Sequence, residues 1–116
     1  MTPNMLVAAY EFLCLMPPFS RWHLPVSDEV EFHVMRQYDR EGDYEGPPSR
    51  KNHLIRCSSR WIGHTDNLLR VMAHEMIHLH QRLRKSDTPN TNHNREFVRL
   101  ADQVATTHGW DPRLFT

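Results

Sequence analysis

The most regular pattern of apolar and polar positions in this chain begins near residue 66. Leu68, Leu69, Met72, Met76, Leu79 and Leu83 recur at three- and four-residue spacing, the signature of a helix with one buried stripe. Thr65 or Asp66 is expected to cap its first free amides, and "RKSDTPNTN" at 84–92 ends it with basic residues and a Pro-Asn loop. A second helical pattern over 94–108 places Phe97, Leu100, Ala101 and Val104 on one face. Gly109 fits its stop, and Trp110 is placed to fold back on the core. Earlier, Leu6, Ala9, Leu13 and Met16 predict a helix over 5–16 that Pro17-Pro18 terminates. Between these helices the period changes to two. Val30, Phe32 and Val34 alternate with polar neighbours over 30–38, and "NHLIRCS" at 52–58 reads as a second strand. The stretch 41–49, with Gly42, Gly46, Pro47 and Pro48, reads as loop. Two strands so joined are expected to pair antiparallel. The predicted fold class is α+β, a small domain of about three helices and a short antiparallel sheet.

Length narrows this to one domain spanning 1–116, since 116 residues support one core. A hydrophobic share of 39% and a charged share of 24% exclude wholesale disorder. The apolar-leaning run 5–19 is broken by Glu11 and Pro17-Pro18, short of the roughly 20 residues a spanning helix requires. No Lys or Arg precedes Arg21, so the run lacks the basic start of a signal peptide. The two cysteines, Cys14 and Cys57, form neither a disulfide framework nor a CxxC ribbon, and a cytoplasmic setting is expected. Net charge is zero but unevenly distributed: seven acids face two arginines over 28–45, and ten basic residues face four acids over 50–99. Solvated loops and helix faces account for such runs; a nucleic-acid-facing side is the sharper alternative.

The chemistry concentrates in "VMAHEMIHLH", residues 71–80. At about 100° per residue, His74 and His78 lie one turn apart on the same face, so both imidazoles can reach one ion. His80 points about 200° away from His78. Glu75 occupies the HExxH position where a carboxylate serves a metal-activated water without being a ligand. A hydrolytic zinc site needs a third protein ligand and an open position. The short-helix pattern HExxHxxGxxH fails, because Gln81 stands at the glycine and Arg84 at the last histidine. His93, Glu96 and His108 are the downstream candidates.

At these residues the chain resembles a known family. "VMAHEMIHLHQ", followed fifteen residues after His78 by "HNREF", is similar to the SprT-like (Spartan-type) metalloprotease domain. In that family HExxH is followed by a distant histidine that opens a helix carrying an aromatic four residues on. "HLIRCSSRWIGHTDNLLRVMAHE" is similar to the family's strand, polar turn and helix entry, and the likeness extends over roughly 32–104. The resemblance implies a small zincin-like domain with HExxH on its central helix, Zn2+ as cofactor, His74, His78 and His93 as ligands, and Glu75 as catalytic base. Asn94 departs from a common glycine, a position where asparagine tolerates left-handed angles. The chain shows no C-terminal zinc ribbon, so the family's link to DNA–protein crosslinks carries over poorly.

The implied activity is zinc-dependent hydrolysis of peptide bonds in a protein or peptide substrate. DNA contact is expected, if anywhere, through basic residues of the second half, and no membrane partner is implied. The alternative is a non-enzymatic zincin-fold module that holds nucleic acid or an acidic protein. Ligation needs neutral imidazole, so metal binding and activity are expected to fall below about pH 6. Tyr38, Tyr44 and His64 are candidate electrophiles for the oxyanion, and the 52–58 strand is a candidate to pair with an extended substrate.

Overall fold

A computed structural model describes residues 1–36, 39–60 and 64–115, the side chain of Leu114 apart. The chain forms α1 (Pro3–Cys14), β1 (Val30–Met35), β2 (Gly42–Glu45), β3 (His53–Ser58), α2 (Thr65–Arg84) and α3 (Arg95–His108), with short 3-10 turns at Phe19–Arg21, Ser27–Glu29 and Pro112–Leu114. The α+β class is as expected, and α2, with the HExxH stretch, sits at the centre: α1, α3, β2 and β3 all pack on it. Among the described residues no helix is long and apolar enough to cross a membrane.

Two expectations about the sheet are corrected. The strands read at 30–38 and 52–58 pair parallel, with Val30 opposite His53 and Met35 opposite Ser58. The antiparallel partner of β3 is β2, which lies inside the stretch read as loop; the sheet order is β1-β3-β2. "GDYE" is too short for alternation to show, and the glycine and prolines around it dominate any local reading. Tertiary pairing with β3 makes it a strand, and the cross-strand pair Asp43–Arg56 strengthens it. Arg56 donates to both carboxylate oxygens, from Nε at 2.6 Å and Nη2 at 3.0 Å. Because β3 lies between two strands, both its edges are taken and it cannot add a substrate strand; among the described residues β2 pairs on its β3 side alone.

Among the described residues the buried apolar side chains, Leu54 apart, form one cluster. Leu6, Tyr10 and Leu13 of α1 meet Phe32 of β1, and Met72, Met76 and Leu79 of α2 meet Ile55 and Cys57 of β3 and Phe97, Leu100 and Val104 of α3. Burial of this kind contributes about 1.5–3 kcal/mol per large side chain, which is what fixes α2 in register against the sheet.

Helix ends follow from capping chemistry, with one correction. The residue before α2 is His64, in extended backbone and making no side-chain cap bond; Thr65 and Asp66 belong to the first turn. Asp66 instead accepts a bond from Trp110 Nε1 at 3.2 Å, which ties the expected return of Trp110 to the start of α2. Lys85 ends α2 and Gly109 ends α3, both in the left-handed region that closes helices.

Candidate metal centre

His74 and His78 emerge from α2 with ring centroids 5.2 Å apart, as the one-turn spacing requires. His93 approaches from the loop after α2, its ring 4.9 Å from His74 and 5.3 Å from His78. One candidate ligand atom from each of the three lies within 4.8 Å of the others. Phe97 makes the floor: its ring stacks on His93 at 4.1 Å and on His78 at 4.5 Å. The aromatic four residues after His93 thus orients two of the three imidazoles.

Side-chain bonds hold the loop that delivers His93. Asn94 Oδ1 accepts from the Phe97 amide at 2.9 Å, capping α3, while its Nδ2 donates to the Ser86 carbonyl and the Thr88 hydroxyl. Buried Gln81 donates to the same Asn94 oxygen at 3.1 Å. Asn94 has φ −76° and ψ −179°, so the left-handed tolerance expected of it is not used; its value lies in the cap. Arg82, one turn beyond His78, donates to Asp87 at 2.8 Å and to the Gly46 carbonyl at 2.9 Å. It therefore joins the His93 loop to the end of β2.

The electrostatics suit a cation. Burial lowers His74 to about 4 and His78 to about 3, with neighbouring imidazoles adding to the effect, and burial lowers His93 as well. All three rings are neutral at pH 7 and carry a free lone pair. His93 Nε2 is buried without a hydrogen-bond partner, a costly state unless a ligand satisfies it. His74 Nδ1 lies 2.6 Å from the Phe115 carbonyl; since a carbonyl can only accept, Nδ1 carries the proton and Nε2 the lone pair. These observations fit a divalent metal held by His74, His78 and His93.

Glu75 is 4% exposed, and burial, reinforced by Asp43, raises its carboxyl well above the usual range. A bound dication would oppose that shift and favour the carboxylate. Glu75 shares a cleft of about 860 Å³ with the three histidines, walled by β2 on one side and by 87–93 on the other. Gly42 lets β2 close over Glu75: a Cβ there would lie 2.8 Å from the Arg56 carbonyl oxygen and 3.3 Å from Glu75 Oε2.

The other candidates lie elsewhere. Glu96 pairs with Arg99 at 2.6 Å on the outer face of α3, and His108 Nε2 lies 2.7 Å from the Pro17 carbonyl. His80 stacks on Trp22 at 4.1 Å, on the side its helical angle predicts. Tyr44 lines the cleft, its hydroxyl 2.6 Å from His53 Nδ1; His64 is exposed, and Tyr38 lies outside the described residues. Phe115 and Gly42 were missed by sequence reasoning. Phe115 contributes a backbone atom, which leaves no residue-type signal, and Gly42 resembles any loop glycine.

A histidine pair on a helix, a third histidine from the next loop and a buried glutamate beside the first define an HExxH protein with a candidate metal centre on an α+β fold. The chain belongs to the SprT-like family, whose model matches residues 19–114. No curated protein matches the chain. The matched span leaves α1 before it and Phe115 after it.

Proposed function

We propose that the chain is a zinc-dependent endopeptidase, with His74, His78 and His93 as ligands and Glu75 as general base. The observation that carries this reading is the convergence of three neutral imidazoles beside a buried glutamate in one cleft. Three nitrogen ligands with one position left open is the pattern of catalytic rather than structural zinc. When bound, the ion supplies Lewis acidity, acidifying water and polarising the scissile carbonyl. Glu75 accepts the attacking water's proton and returns it to the leaving amine as the peptide bond breaks. The edge of β2 away from β3, unpaired among the described residues, offers backbone donors and acceptors along the cleft, so the substrate is an extended segment of protein or peptide. DNA-associated proteins are one class of such substrate.

Glu75→Gln tests the base role with little change in volume. It should retain the parent's zinc content and lose about 100-fold or more of its rate on denatured casein. Running the assay with and without DNA asks whether nucleic acid participates. Parent-level cleavage by Glu75→Gln, or a purified parent that takes up no zinc, would sink the proposal.

A further inference from the structure

We propose that the segment following α3, residues 110–115, is a working part of the metal centre: the Phe115 carbonyl selects the His74 tautomer that leaves Nε2 as its donor atom. This rests on the metal reading above and adds a positioning residue to it. Neutral imidazole carries its proton on either nitrogen, and only one choice leaves the lone pair on Nε2. The acceptor 2.6 Å from Nδ1 makes that choice before any ion arrives.

The segment is built to hold that carbonyl still. Gly109 turns the chain out of α3, and the Trp110 amide bonds back to the Ala105 carbonyl at 2.9 Å. The Trp110 indole reaches Asp66, two helical turns before His74. Asp111 then caps the Pro112–Leu114 turn, its Oδ1 accepting from the Arg113 amide at 3.0 Å. From this turn Phe115 enters the core, 1% exposed, with its ring stacked on Trp110 at 5.6 Å and 5.9 Å from His74. The buried ring is the anchor and the carbonyl beside it is the working atom. Packing alone requires the ring to be buried but places no demand on where the carbonyl points.

The experiment compares Zn2+ affinity, by chelator competition at neutral pH, in the parent, Phe115→Ala, Phe115→Leu and Asp111→Ala. It is paired with nitrogen-15 spectra of the His74 ring in the metal-free parent. The spectra should show the Nδ1–H tautomer. Phe115→Ala should bind Zn2+ about 10- to 100-fold more weakly, the usual effect of losing such a partner. Phe115→Leu, which keeps an apolar anchor, should stay near the parent. Asp111→Ala alters an exposed cap and leaves the core intact, so it tests the idea even if Phe115→Ala does not fold; it should weaken binding in the same direction. An Nε2–H tautomer in the parent, or parent affinity in Asp111→Ala together with parent affinity in Phe115→Ala wherever the latter folds, overturns this inference and leaves the metal reading standing. A parent that takes up no Zn2+ overturns both. A role confined to packing would lower thermal stability with and without metal and leave affinity unchanged.

Discussion

Gly42→Ala is the most demanding perturbation the cleft offers, because the added atom meets neighbours that cannot yield separately. Its Cβ would stand 2.8 Å from the Arg56 carbonyl oxygen, 2.9 Å from Val71 Cγ1 and 3.3 Å from Glu75 Oε2. The first is the backbone of the central strand, held through the pairing of Gly42 with Cys57 and Asp43 with Arg56. The second belongs to a side chain 3% exposed in the core of α2. Relief requires β2 to lift from β3 and α2 together, by some tenths of an ångström. Overpacking of this kind costs about 1–3 kcal/mol. For a chain of 116 residues that is a fall of about 5–15 °C in melting temperature. Displacement of the wall over Glu75 should reduce turnover more than stability alone implies, by about 10- to 100-fold, since small misplacements of reacting groups are costly. Thermal melts with and without zinc, with initial rates on casein well below the melt, measure both. Gly46→Ala is the control: its Cβ would meet Tyr44 and His53 side-chain atoms, which can swing aside, so its stability loss should be smaller. A Gly42→Ala protein with the parent's melting temperature and rate would refute the claim that β2 is wedged against Glu75.

Two further outcomes follow from the histidines. Burial holds His74 near 4 and His78 near 3, whereas both titrate near 6.5 when unfolded. The unfolded state therefore binds more protons below that value, and the metal-free chain loses stability as pH falls from about 6.5 to about 4, by up to about 1.4 kcal/mol per unit for each histidine. Above pH 7 neither contributes; urea midpoints at several pH values test this, and a flat profile in that window would contradict it. Elemental analysis of single alanine variants gives the second. His93→Ala should lose metal, while His80→Ala, Glu96→Ala and His108→Ala should retain the parent's content, since those side chains meet Trp22, Arg99 and Pro17 instead. Metal loss in Glu96→Ala alone would overturn the ligand set.

The helices and the His74–His78 pair were legible because both depend on local periodicity, and α3 stops at the glycine read as its end, whereas the cap that Asn94 supplies at its start was not read. The sheet was less so. β2 is a strand because β3 runs beside it, and the parallel pairing of β1 with β3 depends on β2 taking the opposite edge; neither fact is carried by any window of residues. His93 illustrates the intermediate case. Spacing could not choose it over Glu96 or His108, since its position depends on how Asn94, Gln81 and Ser86 fold the loop; only the resemblance singled it out.

The charge pattern changes meaning when the chain folds. The acidic run and the basic half look like opposite faces in sequence, yet Glu31 meets Arg50 at 2.6 Å, Asp43 meets Arg56 at 2.6 Å and Glu41 meets Arg70 at 2.5 Å. Arg82 and Arg99 pair with Asp87 and Glu96 within the basic half itself. Among the described residues at least half of the ten basic residues counted over 50–99 thus face a carboxylate, and a polyanion would have to displace those partners before gaining from them. The same pairing governs the cleft, where Arg56, Arg70 and Arg82 are matched by Asp43, Glu41 and Asp87 along its walls. A wall of matched charges exerts little net pull on one charged side chain of a substrate. On the proposed reading, selection therefore falls to the backbone edge of β2 and to the chain's ability to lie extended beside Glu75, which favours unfolded segments over particular sequences.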